Sequence, residues 1–220
     1  MKNIIEILKN VGAIITNGHF VYTSGKHGSV YINKDFLYPY PDITAEVGKM
    51  FAKRFKDTSI DLVAAPAIGG TILCQWTAYY LTQMSKRRVL SVYSEKDKGT
   101  TASALESQQV FRRGYDSFIK GKRALVIEDL TTTGGSVRKT VQAVRRVGGE
   151  VVAVCVMVNR DPLNVNTQTI GVTFHSLGEF PAQAFDAKDC PLCKKKIPID
   201  TKVGHGKKYL EEKNKGYIID

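Results

Sequence analysis

The sequence predicts an α/β fold in which a parallel sheet is flanked by helices. Short apolar runs typical of buried strands alternate with segments of helical period. The segments richest in glycine, threonine and charged residues directly follow these runs, and ligands bind beyond the carboxyl ends of the strands in such sheets. A chain of 220 residues is long enough for one large domain with a sizeable core.

The predicted elements follow in order along the chain. Aliphatic spacing predicts a first helix over residues 2–16, and alternation around a Ser-Gly turn predicts a hairpin that pairs 20–23 with 30–33. Asp42, after Pro41, is the expected N-cap of the next helix. Residues 95–120 show only weak periodicity. The other elements are strands within 60–70, 87–94, 123–129, 150–160 and 171–178, and helices over 71–84 and 136–147.

Composition and charge exclude several classes of protein. The chain is 43% hydrophobic and 24% charged, as in ordinary globular domains, and no apolar run approaches the ~20 residues that span a bilayer. The first residues lack the apolar core and cleavage site of a signal peptide, so a cytoplasmic location is expected. A net charge of +11 favours a polyanionic ligand. Nucleic acid is not expected as the partner, because no basic segment is interleaved with aromatic residues.

The stretch ALVIEDLTTTGGS, residues 124–136, carries the most chemistry. A glycine-containing turn before a helix presents backbone N–H groups at the positive end of the helix dipole, which suits a phosphate. Glu128 and Asp129 would repel a phosphate, but they suit ribose hydroxyls or a magnesium-bound water shell. The spacing fits neither a Walker loop nor GxGxxG. The stretch therefore predicts a phosphorylated sugar as the ligand, and a strand end with a threonine-rich N-cap is the plain alternative.

The same stretch resembles the phosphoribosyl pyrophosphate (PRPP) signature of type I phosphoribosyltransferases. Residues 19–39, HFVYTSGKHGSVYINKDFLYP, are similar to the opening of the orotate phosphoribosyltransferases. APAIGG is similar to the pyrophosphate loop of these enzymes, and VNRDP is similar to the segment that carries an arginine late in their sequences. The resemblance covers residues 2–190. It implies a type I phosphoribosyltransferase-like parallel sheet with a small N-terminal hood element. The phosphoribosyltransferase domain would be 1–190, with hood elements from about 1–40 and the C-terminal part, and 191–220 a lysine-rich extension packed on it or trailing.

The resemblance also implies roles for individual residues. The catalytic residues would be Lys96, Lys98 and Asp129. The PRPP-binding residues would be Lys26, Ala67, Ile68, Gly69, Gly70, Glu128, Asp129, Thr131, Thr132, Thr133, Gly134, Gly135 and Ser136. The base would meet Tyr31, Ile32, Thr132 and Arg160. Each has a plainer reading: Lys26 as a solvated turn residue, Arg160 as an ion-pair partner, Tyr31 as a strand aromatic, and Gly69 and Gly70 as turn formers.

The activity implied is transfer of 5-phosphoribosyl from PRPP to orotate, in pyrimidine nucleotide biosynthesis, with Mg²⁺ and in a homodimer. The family's mobile loop is rich in Arg, Lys and His. In this sequence its Arg-Lys pair aligns with Tyr93 and Ser94, and its histidine with Lys98. Two alternatives therefore stay open: transfer to another nucleobase, or a non-catalytic regulator that binds PRPP or RNA.

A CPLC element near the C-terminus is a separate feature. Cys190 and Cys193 supply half of a tetrahedral zinc site, which His205 or His175 would complete together with another ligand. A turn with reduced thiols and a disulfide are the alternatives. Cys74 and Cys155 lie in apolar runs and are expected to be buried thiols.

Overall fold

The computed structural model describes residues 3–22, 24–97 and 108–215. Its contacts divide the chain into two units, Met1–Ile7 with Leu37–Phe180 and Leu8–Phe36 with Pro181–Asp220. The chain thus divides at 180/181, ten residues before the domain end expected at 190. The lysine-rich segment 191–220 belongs to the same unit as the N-terminal turns.

The first unit is built on a six-stranded sheet in the order β10-β9-β8-β5-β6-β7. All neighbouring strands are parallel except β6 and β7, which are antiparallel. The strands are β5 (Leu62–Pro66), β6 (Leu90–Lys96), β7 (Gln109–Val110), β8 (Arg123–Thr131), β9 (Glu150–Asn159) and β10 (Phe174–Glu179). The α/β fold with a parallel sheet flanked by helices is confirmed.

The helices of this unit cover both faces of the sheet. They are α2 (Pro41–Arg54), α3 (Gly69–Ser85), α4 (Tyr115–Ile119), α5 (Gly135–Arg146) and α6 (Thr167–Ile170). Strand side chains alternate between the two faces. Ala64, Val126 and Val154 pack with the buried side of α5. On the other face, the Cys74 thiol of α3 donates to the Val63 carbonyl at 3.2 Å.

Two glycines allow close packing in the first unit. A Cβ at Gly48 of α2 would lie 2.4 Å from the Trp76 Cβ of α3, so the two helices approach closely at this position. A Cβ at Gly70 would lie 2.7 Å from the Ala65 Cβ, which presses the first turn of α3 against β5. The sheet edge that carries the ends of β5 and β8 is therefore tightly held.

The second unit consists of short pieces. The first helix, α1 (Ile4–Asn10), begins in the first unit and ends in this one. Strand β1 (Ile14–Ile15) pairs with β4 (Tyr31–Ile32), and β2 (Phe20–Val21) pairs with β3 (His27–Gly28). Two 3₁₀ turns (Lys34–Phe36 and Ala187–Asp189), α7 (Pro191–Lys194) and α8 (Gly206–Asn214) are its other described elements.

Three local predictions were wrong. The first helix ends at Asn10 rather than at residue 16, since Gly12 adopts φ +70° and a strand follows. The predicted hairpin is two nested ladders, β1/β4 and β2/β3, instead of one pairing of 20–23 with 30–33. Tyr40, not Asp42, is the N-cap of α2, and Pro41 occupies its first turn.

Among the residues the structure describes, no helix is long and apolar enough to cross a membrane.

Candidate active site

Two buried acids lie near the carboxyl end of the central strand β8. Glu128 is 6% exposed and Asp129 is 4% exposed. Glu128 Oε1 accepts a hydrogen bond from the Asp129 backbone N–H at 3.1 Å, and Asp129 Oδ1 accepts one from the Leu130 N–H at 2.5 Å. These bonds hold both carboxylates against the strand backbone, so their positions are fixed before any ligand arrives.

The environment of Glu128 disfavours its ionised form. Burial, with the neighbouring Asp129 charge as the second cause, raises the pKa of Glu128 well above its ordinary value. A hydrogen bond with Ser136 opposes this rise. The acid at the end of β8 is therefore coupled to the first turn of α5, on the other side of the intervening turn.

The turn between β8 and α5 has the shape of an anion cradle. Thr131 Oγ1 accepts from the Gly134 N–H at 3.0 Å, and Thr133 Oγ1 accepts from the Gly135 N–H at 3.4 Å. Gly134 has φ +71°, and a Cβ there would lie 2.8 Å from Ile170 Cδ1, so glycine is required. The first-turn N–H groups of α5 point out of the helix at its positive end. The predicted cluster of residues 131–136 thus forms one compact turn.

The loop after β5 brings a second helix N-terminus to the same edge of the sheet. The Ala67 N–H donates to the Ser94 carbonyl at 2.7 Å, the peptide bond between Ala67 and Ile68 is cis, and Ile68 is 84% exposed. The Tyr38 hydroxyl donates to the Gly69 carbonyl. Helix α3 begins at Gly69, two residues earlier than predicted, so Gly69 and Gly70 supply first-turn N–H groups as well as a turn.

Strand β9 places Arg160 beside the cradle. Its last residue, Asn159, pairs with Thr131, and the Arg160 N–H donates to the Thr131 carbonyl at 2.8 Å. The buried Asn159 amide donates to the Val165 carbonyl at 2.9 Å and fixes the following loop. The sequence analysis missed Asn159, although its place before Arg160 at a strand end was a usable signal.

Strand β6 carries the lysine expected in catalysis. Lys96 is exposed and pairs with Gln109 of β7. Lys98, the other lysine expected there, lies outside the described residues. Arg112 binds Asp97 at 2.9 Å and Arg113 binds Glu95 at 3.3 Å. These two ion pairs therefore connect the end of β6 with the residues that follow β7, on either side of residues 98–107.

The remaining predicted ligand residues belong to the second unit. The Lys26 ammonium lies 3.6 Å from the Asp186 carboxylate, and both side chains are largely exposed. The Tyr31 ring packs 5.6 Å from the Phe20 ring, and Ile32 is buried. Exposure leaves Lys26 able to exchange its carboxylate partner for an anionic ligand.

The CPLC cysteines meet two histidines that the sequence analysis did not select. Within the described part of the chain, His19, His27, Cys190 and Cys193 form a cluster of possible metal ligands. The expected His175 instead contacts Arg54, with 2.8 Å between its Nδ1 and a guanidinium nitrogen, and His205 is the N-cap residue of α8. All four cysteines of the chain lie in described ranges, and none forms a disulfide. A usable signal was that two of the four histidines flank the Ser-Gly turn.

Comparison with known proteins agrees with this geometry. Residues 34–169 match the phosphoribosyl transferase domain family. The orotate phosphoribosyltransferase of Thermotoga maritima is 35% identical over 204 residues, which is 92% of this chain and 98% of that protein.

Solved structures show the same fold. A Mycobacterium tuberculosis orotate phosphoribosyltransferase in complex with PRPP gives a TM-score of 0.57 at 21% identity, covering 81% of this chain and 96% of that one. The adenine phosphoribosyltransferase of Thermoanaerobacter pseudethanolicus gives 0.62 at 21% identity, covering 80% and 99%. The fold alone does not identify the base, because an orotate enzyme and an adenine enzyme share it. The sequence similarity over nearly the whole chain does identify the family. The chain belongs to the phosphoribosyltransferase family, and within it to the orotate phosphoribosyltransferases.

Proposed function

We propose that this chain transfers the 5-phosphoribosyl group of PRPP to orotate, releasing pyrophosphate and forming orotidine 5′-phosphate. The observation that carries the proposal is the junction of β8 and β9. There the buried acid pair, the hydroxyl- and glycine-rich turn and Arg160 are joined through Thr131. This set of groups matches a phosphorylated ribose beside an acidic, carbonyl-rich ring.

The turn binds the 5-phosphate of PRPP. Its ligands are the N–H groups of the first turn of α5 and the hydroxyls that the turn offers, with glycine allowing close approach. Glu128 and Asp129 accept hydrogen bonds from the ribose hydroxyls and orient the ring. Together these contacts fix the anomeric carbon with respect to both the leaving group and the base.

The leaving group is pyrophosphate. The loop of Ala67, Ile68, Gly69 and Gly70 at the start of α3 surrounds it, with the first-turn N–H groups of Gly69 and Gly70 as donors, and Lys26 contributes a positive charge. The orotate ring nitrogen first releases its proton to solvent. As the bond from C1 to the pyrophosphate oxygen breaks, its electron pair leaves with pyrophosphate, and the deprotonated nitrogen donates a pair to C1. Positive charge develops on the sugar and negative charge on pyrophosphate, so stabilising these charges lowers the barrier. Lys96 and Lys98 neutralise the departing charge.

Magnesium fits this site because the donors near it are carboxylate oxygens, which hard cations prefer. When bound with PRPP it neutralises part of the pyrophosphate charge. Glu128 and Asp129 hold the ribose side of that complex. The basic balance of the chain, +11, also favours the two anionic substrates. We place the activity in pyrimidine nucleotide biosynthesis in the cytoplasm, where reduced thiols such as these persist.

Base choice follows from Arg160 together with the backbone around Tyr31 and Ile32, and from Thr132. A guanidinium offers a planar fork that matches a carboxylate bidentately. Orotate carries such a carboxylate, whereas adenine and uracil do not. We therefore expect Arg160 to distinguish orotate from neutral bases.

The direct test is a spectrophotometric assay with PRPP and Mg²⁺, offering orotate, uracil and adenine separately. We expect orotate to be consumed, no turnover of the other two bases, and loss of activity when the divalent cation is chelated. Turnover of adenine or uracil but not of orotate would assign the chain to another nucleobase. PRPP that raises Tm without turnover of any base would indicate a regulator, and salt-dependent RNA binding would then be measured.

We further propose that the protein acts as a homodimer. Ile72 and Tyr79, two helical turns apart on one side of α3, are 38% and 50% exposed. A cavity of about 380 Å³ lies between α3, β6 and α4, with Trp76 and Tyr93 in its lining. This apolar surface is available for a second copy of the chain.

Sedimentation equilibrium at micromolar concentration is expected to give twice the mass of the chain. Replacing Tyr79 with Glu is expected to shift the protein to monomers, because it puts a charge in the contact. Phe36→Glu is the matched control, since Phe36 is 45% exposed and belongs to none of the elements that line the cavity. A wild-type protein that sediments as a monomer at all concentrations would contradict the proposal.

A further inference from the structure

The second unit contains a cluster of two imidazoles and two thiols that the proposed transferase reaction does not use. Its members are His19, His27, Cys190 and Cys193, and one ligand atom from each lies within 4.8 Å of all the others. The first three are buried and Cys193 is half-buried. We propose that this cluster is a structural zinc site that fastens the N-terminal turns to the C-terminal segment.

Three nitrogen–sulfur distances in the cluster are close to those of tetrahedral coordination. His19 Nε2 lies 3.7 Å from Cys190 Sγ and 3.6 Å from Cys193 Sγ, and His27 Nδ1 lies 3.3 Å from Cys193 Sγ. Bond lengths of ~2.3 Å for sulfur and ~2.0 Å for nitrogen place tetrahedral N and S ligands about 3.5 Å apart. The two imidazole nitrogens are 2.9 Å apart, closer than the ~3.3 Å expected around zinc. A small outward shift of one ring admits the ion.

Neighbouring groups orient the ligand atoms. His19 Nδ1 lies 2.7 Å from the Ile197 carbonyl oxygen. Only a protonated Nδ1 can donate to that oxygen, so the Nε2 lone pair faces the thiols. Such a carbonyl behind a ligating histidine is the usual support of a zinc ligand. The backbone of His27 is fixed by two hydrogen bonds with Phe185, of 2.7 and 2.8 Å, and its ring meets Tyr209 edge-on at 4.8 Å.

The ligand set points to zinc and to a structural role. Two thiolates and two imidazoles in tetrahedral arrangement suit Zn²⁺, whereas Mg²⁺ requires oxygen ligands. Four protein ligands leave no open position for water or substrate, unlike a catalytic zinc site. The metal is thus distinct from the magnesium that accompanies PRPP.

The construction of the second unit explains why it needs a metal. It joins two segments separated by more than a hundred residues of chain, and its described ladders pair only two residues of each strand and lie within the first segment, Leu8–Phe36. The described strand contact between the two segments is a single bridge of His27 with Phe185. Within the described residues, its buried apolar side chains are few: Leu8, Ala13, Phe20, Val21, Ile32, Cys190 and Tyr209. Small units with so little core commonly depend on a metal or disulfides. Here one ion links the β2/β3 ladder to the CPLC turn.

The test is metal analysis of untagged protein purified under reducing conditions. We expect close to one zinc per chain in the wild type and close to none in Cys190→Ser and Cys193→Ser. Cys74→Ser and His205→Ala are the controls and are expected to keep the metal. Cys74 lies in the first unit, and a serine there can retain the bond to the Val63 carbonyl. Zinc that persists in Cys193→Ser, or that is lost equally from the controls, would overturn the assignment.

A second measurement does not depend on whether the variants fold. Wild-type protein stripped by a chelator is expected to lose ~10 °C or more in Tm and to recover it with Zn²⁺ but not with Mg²⁺. Co²⁺ added to the stripped protein is expected to give the thiolate charge-transfer band and intense visible bands of a tetrahedral site. Reduced protein that takes up neither zinc nor cobalt would show that the cluster is only a hydrogen-bonded group of side chains.

Discussion

Replacing Asp129 with Asn is expected to lower kcat/KM about a hundredfold or more while leaving the fold intact. Asp129 is buried at the end of β8, and its Oδ1 accepts the Leu130 N–H at 2.5 Å. An asparagine retains that acceptor, so the backbone bond survives. The charge is lost, and a hydrogen bond to a charged group contributes ~1.5–3 kcal/mol, which corresponds to about 10–150-fold. Contacts that strengthen as the sugar becomes cationic add to this loss.

Steady-state kinetics with PRPP as the varied substrate measures the effect, alongside thermal unfolding. Asp57→Asn is the matched control, because Asp57 is an exposed acid between α2 and the amino end of β5, whereas the cradle lies at the carboxyl ends of the strands. It is expected to change kcat/KM less than about twofold, as surface substitutions usually do. If Asp129→Asn retained full activity with an unchanged Tm, Asp129 would have no role in holding the ribose.

The sheet and the cradle could be predicted because both depend on local sequence. The strands β5, β8 and β9 are buried on both faces, so each is a continuous apolar run of the kind that parallel strands require. The turn of residues 131–136 lies between β8 and α5, and its glycines and hydroxyl side chains are adjacent in the sequence. Its position at the edge of the sheet follows from the parallel order alone.

The second unit could not be predicted, because its contacts join distant parts of the chain. The helix prediction over 2–16 relied on aliphatic spacing, but Ile14 and Ile15 form a two-residue strand that pairs with β4. A ladder this short has no periodic signal of its own. Strands this short are positioned by tertiary packing instead. Gly204, for example, lies so close to β2 that a Cβ there would be 2.7 Å from the Val21 carbonyl oxygen.

The metal cluster shows the same limit. Cys190 is 171 residues from His19, and nothing in the sequence between them indicates that they meet. The sequence analysis selected His205 as a ligand because it is near the cysteines in sequence. In the structure it occupies the N-cap position of α8. His19 and His27 lie in residues 19–39, and the sequence analysis interpreted this stretch only as a substrate-binding turn. Only the fold could show that the stretch carries a second set of groups.

Replacing Glu128 with Gln is expected to stabilise the unliganded protein at neutral pH and to lower kcat/KM about tenfold or more. Burial and the adjacent Asp129 raise the pKa of Glu128 well above 4.5, so ionisation of this carboxyl opposes folding. Glutamine keeps the Oε1 that accepts the Asp129 N–H and carries no charge. Removing such strain commonly contributes ~0.5–2 kcal/mol, or about 1–8 °C in Tm at this size. The activity falls because the neutral amide binds a ribose hydroxyl more weakly than a carboxylate does.

The gain in stability has a defined dependence on pH. Between pH 4.5 and the raised pKa of the folded state, the folded protein binds more protons at Glu128 than the unfolded chain does, so wild-type stability falls as pH rises through this window. Below about 4.5 the carboxyl is neutral in both states, and the variant and wild type should unfold alike. The Tm difference should therefore grow with pH and then level off. Glu150→Gln is the control: Glu150 is exposed and pairs with Arg123 at 3.0 Å, so its loss should give no gain at any pH. A Glu128→Gln protein that is less stable than wild type at about pH 8 would mean that the ionised carboxylate supports the fold, and the strain inferred at the end of β8 would be absent.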